Sequence, residues 1–287
     1  MLLYKYLKSE QKYILENGLI RFTQPSCFND PFEALPKVEQ VCSLEIIDTL
    51  YEDFSDDFLF NDLISKIENP EAIKNIEIAR EVFNRNGLLE NKELFYDRLI
   101  GKSADDLTPE MKKFWDFQFG ILCLTEKYDN MTMWSHYSEN HTGFLIGFNP
   151  LKDITDPKKR FTRLRKVNYV SKRPHLTLFD LEKDDGTNFH SIWIQTYLYT
   201  KSNHWAHENE WRQVNKLSSC DKKELKNNQE IFLYSYNRES IEEIVLGCMI
   251  QPEDEKEIIR LVKDWNIKLS KMKLNDNDYT LDKINVK

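Results

Sequence analysis

Two carboxylates and an arginine crowd together in His207-Glu208-Asn209-Glu210-Trp211-Arg212. If Glu208 to Val214 is extended, its side chains alternate, so Glu208, Glu210 and Arg212 share one face and Asn209, Trp211 and Gln213 the other. An arginine fork can then hold one carboxylate and leave the second for chemistry. A helix would instead pair Glu208 with Arg212 as a surface salt bridge and turn Glu210 away. Trp211 and Val214 suit a strand and no capping signal precedes the segment, so the strand is expected. Arg212 would then fix the Glu208–Glu210 face, and either Glu210 or Glu208 is the carboxylate left for chemistry.

A second cluster lies in Gly120 to Phe148, which reads as strand, turn, short helix, turn, strand. Asp129 or Asn130 can cap a helix over Met131 to Ser138, and Gly143 is a permissive residue where that helix must end. Phe144 to Phe148 returns as a strand with Phe144, Ile146 and Phe148 on one face. At ~100° per residue, Met133, His136 and Tyr137 share one side of the helix, with Trp134 beside Tyr137. Such a helix is either a core plug or the wall of a pocket.

Gln24 to Pro36 forms a compact proline-rich loop, in which Phe28 and Phe32 flank Asn29-Asp30. It can present Asn29, Asp30 and Glu33 rigidly, or it can be an Asx-turn whose side chains satisfy their own backbone. Lys158 to Arg173 carries eight basic residues and no acidic one. It reads either as strands with charged, guarded edges or as a phosphate-binding surface for nucleic acid. The first reading has the advantage, because the basic residues keep no single-face period.

Several other chemistries find little support. HWAH at His204 to His207 lacks the HExxH pattern of a zinc site. There is no GxSxG elbow, no GxGxxG and no GxxxxGK[ST], and only 8 glycines occur in the chain. A nucleotide would therefore be held by aromatic stacking and side-chain contacts. A Mg²⁺-dependent nuclease stays open, with Asp30, Glu33, Glu208 and Glu210 around the metal.

The elements that must position these residues run in order. Leu2 to Tyr6 is a first strand, and Ser9 can cap a helix over Glu10 to Asn17 that stops at Gly18. Leu19 to Thr23 is a strand. Ser43 to Phe117 is a helical insertion, acidic outside, punctuated by Pro70, Gly87 and Gly101, with a cap at Thr108-Pro109. Lys166 to Val170 suggests a strand, Asn188 to Lys201 a helix with Trp193, Tyr197 and Tyr199, and Ile241 to Gly247 a core strand. A helix opens at Pro252 and runs to about Trp265. Ile267 to Leu274 closes the fold, and the polar tail after Asn275 is expected to be mobile.

The 287 residues, 40% hydrophobic and 13% aromatic, fit one large domain or two small ones; a single α+β domain spanning 1–287, with the insertion at about 43–117, is expected. No run approaches the ~20 apolar residues of a membrane span, and the charged start does not resemble a signal peptide. Five scattered cysteines never spaced CxxC argue against a disulfide framework. A reducing cytoplasm is the plain expectation. The net charge of −8 disfavours indiscriminate binding to nucleic acid.

LYKY at Leu3 to Tyr6, FNDPFE at Phe28 to Glu33, MWSHY at Met133 to Tyr137, GFLIGF at Gly143 to Phe148, HENEWR at His207 to Arg212 and IVLG at Ile244 to Gly247 occur in this order. This set resembles a widespread bacterial family of unassigned function, often met among phage-defence and abortive-infection genes. The opening strand, helix and strand also resemble, more distantly, ADP-ribosyltransferases that modify DNA and RNA. That resemblance implies a split, mixed or antiparallel sheet and a toxin-like effector consuming NAD to modify nucleic acid or protein. It places Lys5 or Tyr4 on the NAD, Thr125 with Trp134 and Tyr137 as the nicotinamide wall, and Glu210 or Glu208 at the ribose. His136 would hydrogen-bond ribose or phosphate, and Asn29 and Asp30 would join the binding loop. A non-enzymatic sensor of a phage or host partner is the alternative of a different class.

Overall fold

The computed structural model describes residues 1–34, 37–42, 44–99, 113, 115–179, 196–226 and 228–286. The expected features at Pro36, Ser43, Gly101, Thr108-Pro109 and Trp193 lie outside these residues. The chain divides into two compact units, one of Met1–Ala34, Phe114–Lys172 and Leu198–Lys287, the other of Leu35–Lys113 and Arg173–Tyr197.

In the first unit the strands are β1 (Leu3–Leu7), β2 (Leu19–Phe22), β4 (Phe119–Thr125), β5 (Phe144–Phe148), β6 (Arg165–Lys166), β7 (Asn168–Val170) and β9 (Thr200–Ser202). They continue with β10 (Glu210–Lys216), β11 (Lys222–Lys226), β12 (Gln229–Ser235), β13 (Ile241–Leu246), β14 (Lys268–Leu274) and β15 (Leu281–Asn285). Among the described residues one mixed sheet runs β15-β14-β13-β5-β1-β4-β10-β6, parallel only between β13 and β14. The mixture of helix and strand and the mixed sheet match expectation.

Alternation along each strand sends two sets of side chains to opposite faces. Leu3, Leu7, Leu122, Leu124, Phe144, Ile146, Phe148, Ile244 and Leu246 fill one face with Ile258 and Val262 of the Pro252–Val262 helix. On the other face Tyr4, Tyr6, Leu145, Val245 and Met272 pack with Met133 and Trp134 of the Met131–Tyr137 helix. That helix is too short to persist in isolation. Asn130 caps it, accepting the Met133 N–H at 3.1 Å.

Several elements depart from the sequence reading. The first helix divides into a 3₁₀ turn at Ser9–Lys12 and an α-helix at Tyr13–Asn17; Ser9 does not cap it but donates to Thr142 O at 2.7 Å. The Met131–Tyr137 helix ends not on glycine but in three left-handed residues, Glu139, Asn140 and His141. Gly143 is needed for another reason: a Cβ there would lie 2.0 Å from Leu7 O. Lys166 to Val170 splits into β6 and β7. The tail beyond Asn275 is ordered into β15, because Leu281 is buried and Lys283 pairs with the buried Glu243 at 2.9 Å.

The second unit holds β3 (Lys37–Cys42) paired in parallel with β8 (His175–Phe179), and helices Leu44–Ser55, Asp57–Ser65, Pro70–Arg85 and Lys92–Asp97. Ile47, Leu88 and Phe95 form its buried centre. The helices expected after residue 43 are present, and two stretches of chain, 35–113 and 173–197, build the unit. Of the helix expected from Asn188 to Lys201, residues 188–195 lie outside the described residues, 196–198 are helical, and Lys201 belongs to β9.

Candidate functional site: a cavity floored by buried charges

β4 is bordered on one side by β10 in continuous register from Lys216↔Phe119 to Glu210↔Thr125. On its other side β1 is in register only at Tyr4↔Thr125, and the end of β2 meets it only as a bridge at Thr23↔Ile121. Between these points the sheet forks. The Cys123 carbonyl lies in the fork and accepts the Lys5 ammonium at 3.1 Å. A cavity of roughly 540 Å³ opens here, lined among others by Tyr4, Lys5, Arg21, Phe28, Asn29, Thr125, Met133, His136, Tyr137, Lys201, Glu208 and Glu210. This lies within the usual range of small-molecule pockets, roughly 300–1,000 Å³.

The floor is a buried charge cluster. Arg212, fully buried, donates from Nε to Glu210 Oε1 at 2.8 Å, from Nη2 to Glu210 Oε2 at 3.0 Å and Glu33 Oε1 at 2.5 Å, and from Nη1 to Leu198 O at 2.7 Å. The Lys201 ammonium lies 2.6 Å from Glu208, 3.1 Å from Glu210 and 3.5 Å from Glu33. Tyr137 Oη donates to Glu208 Oε1 at 2.6 Å and accepts from Asn29 Nδ2 at 3.2 Å. The Thr125 hydroxyl donates to the Glu208 carbonyl, and the Glu210 N–H donates to Tyr169 Oη at 2.9 Å.

Three carboxylates against two cations leave one net negative charge. Burial opposes ionisation of Glu210, but the Arg212 guanidinium and then Lys201 outweigh it and hold its carboxyl at about 2. Burial works against the Lys201 ammonium too, yet Glu210, Glu33 and Glu208 raise its pKa above the ordinary lysine value. Burial, then the Glu208 charge, pushes the Tyr137 phenol up, so it stays a donor.

The expected carboxylate geometry needs one correction. Glu208 is not on the strand: it ends a 3₁₀ turn, Asn203–Glu208, and β10 starts at Glu210. Ser202 caps that turn by accepting the His204 N–H, where no capping signal is expected. Asn209 takes a left-handed φ of 44°, which keeps Glu208 and Glu210 both against Lys201.

Lys5, Tyr4, Thr125, His136, Tyr137 and Asn29 line the cavity with Glu208 and Glu210, whereas Trp134 and Asp30 do not. Trp134 is fully buried and donates from Nε1 to Tyr128 O at 2.7 Å, so it is the core plug beneath the wall. Asp30 accepts the Phe32 N–H at 2.9 Å in an Asx-turn of its own loop. Lys201 and Arg21 were not singled out in the sequence, and no local pattern marks either one.

For Mg²⁺ the donor set does not fit. Glu33, Glu208 and Glu210 converge, but the Lys201 ammonium stands among them in the place of a metal, and Asp30 is engaged elsewhere. Among the described residues no group of three or more His, Cys, Asp and Glu is arranged for a metal ion. In the basic segment Lys159, Arg160 and Lys166 are paired with Asp221, Asp153 and Glu126. Among the described residues no helix is long and apolar enough to cross a membrane.

Among curated proteins and solved structures no match is found. A model of a family described as a protein of unknown function, DUF2971, matches residues 133–213, which run from the Met131–Tyr137 helix through Lys201, Glu208 and Glu210 to Arg212.

Proposed function

We propose that this cavity binds NAD and cleaves its nicotinamide–ribose bond, as an effector enzyme passing the ADP-ribosyl group to water or to a nucleophile of a nucleic acid or protein. The observation that carries the reading is the Tyr137–Glu208–Lys201–Glu210 network, the part of a buried cluster of three carboxylates and two cations that opens onto the cavity. In the reaction the C1′–N bond breaks with its electron pair passing to the pyridinium nitrogen, and neutral nicotinamide leaves. The ribose becomes an oxocarbenium ion, and the acceptor adds at C1′ and loses a proton. A fixed negative field beside C1′ stabilises the cation that develops there. Burial makes that field stronger than it would be in water.

Within this reading Glu208 is the carboxylate closest to the wall, oriented by Tyr137 and Lys201. Glu210, chelated by Arg212, supplies field rather than a free oxygen. Of the two glutamates that the sequence leaves open, this reading takes Glu208. Phe28 and Tyr137 are the available stacking rings, in place of Trp134. The nuclease reading is set aside because of the ammonium among the carboxylates.

The test is nicotinamide release from NAD by the purified chain. Glu208→Gln is expected to lower release by at least 100-fold and Tyr137→Phe by about 10-fold, the span of a lost electrostatic or orienting group. Wild-type protein that neither binds nor cleaves NAD, or a Glu208→Gln variant as active as wild type, overturns the reading.

A further inference from the structure

The fork carries a second group of charges that the glycosidic reaction does not use. In Leu19-Ile20-Arg21-Phe22 the alternation buries Ile20 and Phe22 in the core and leaves Arg21 on the face shared with Thr23 and the cavity. Arg21 is partly buried, and its Nε and Nη2 atoms are buried without any hydrogen-bond partner among the described residues. A guanidinium withdrawn from water with donors unmet is a costly arrangement that proteins normally satisfy. A ligand supplying oxyanion acceptors would satisfy it. Lys5 and Lys8 line the same cavity, so three cations gather around the fork where β1 and β2 leave β4.

The chemistry of this group is specific. A planar guanidinium matches two oxygens of one phosphate, and flanking ammonium groups add charge without demanding geometry. A carboxylate ligand would need only one cation, whereas three suit a diphosphate. Phe28 and Tyr137 supply aromatic faces in the same cavity, as a base requires. The Glu208 side repels phosphate, which leaves the Arg21 side to receive it.

We propose that Arg21, assisted by Lys5 and Lys8, forms a phosphate-binding subsite, and that the cavity selects a nucleoside diphosphate moiety over a free nucleoside. The proposal rests on the reading of this cavity as a nucleotide site, but it concerns binding and not bond cleavage.

Titration calorimetry of the full chain with ADP, inorganic pyrophosphate and adenosine tests it. Wild type is expected to bind ADP at least 10-fold more tightly than adenosine. Arg21→Gln should weaken ADP and pyrophosphate by at least 10-fold and leave adenosine unchanged, with Arg21→Lys between the two. Should Arg21→Gln fail to fold, Lys8→Ala at an exposed position gives the reading, with ADP weakened about 3-fold and adenosine untouched. Wild-type protein that binds neither ADP nor pyrophosphate, or variants that bind ADP as tightly as wild type, overturn the proposal. Tight ADP binding through Arg21 in a protein that leaves NAD intact would retire the glycosidic reaction and keep the subsite. NAD cleavage unaffected by Arg21→Gln would do the reverse.

Discussion

Replacing Lys201 by methionine keeps an unbranched stem one atom shorter and removes one of the two cations from a chamber holding three carboxylates. At an effective dielectric constant near 20, the contacts at 2.6, 3.1 and 3.5 Å are each worth about 5–6 kcal/mol of gross attraction. Desolvation of the ammonium and repulsion from Arg212 offset most of this, and breaking a buried pair from one side typically costs about 3–5 kcal/mol. The variant has one escape, which is to bind a proton on a carboxyl group. At pH 7 that costs roughly 4 kcal/mol for a group with an ordinary value near 4.3, so the destabilisation is capped near this figure.

The escape sets the pH dependence. A native state holding one more proton than the unfolded chain loses stability as pH rises, by about 1.4 kcal/mol per pH unit. Wild-type Glu210, held at about 2, does not titrate near neutrality. The difference between Lys201→Met and wild type should therefore be small near pH 4.5 and grow to about 4 kcal/mol at pH 7. Urea denaturation at pH 5, 6 and 7 measures it, and Lys201→Met/Glu208→Gln should recover part of the loss and flatten the slope. A Lys201→Met penalty below about 1 kcal/mol at pH 7, or one independent of pH, would refute the charge accounting of the site.

Two more outcomes are expected. Because Glu210 falls from an ordinary 4.5 to about 2 on folding, it contributes about 3 kcal/mol that is present above pH 4.5 and lost as pH falls toward 2. Acid titration of stability should show this leg in wild type and a shallower one in Glu210→Gln. Gly143→Ala places a methyl group 2.0 Å from a backbone oxygen of β1, so calorimetric unfolding should show a loss of at least about 3 kcal/mol; a change under 1 kcal/mol would mean the two segments are not in contact.

Elements whose cause is local are legible in the residues alone. The period of two in Phe144 to Phe148, the Asn130 cap, Pro252 at the first turn of its helix and the Glu-x-Arg spacing of Glu210 and Arg212 are all short-range patterns. They are enough to anticipate the short aromatic helix, the strand after it and the Glu210–Arg212 pair, whereas the mixed sheet is implied only by the family resemblance. Which groups complete the site follows from the folded chain and not from any one segment. Lys201 reaches Glu33 across the sequence, Arg21 enters through a fork between strands far apart in the chain, and Trp134 turns inward where Tyr137 turns out. The left-handed Asn209 also cannot be read from alternation, because one residue off the strand restores Glu208 to the site by a different route. For Lys201, Arg21 and Trp134 the cause is the same: a charge or ring takes its meaning from the groups that surround it, and those come from segments with no shared local pattern.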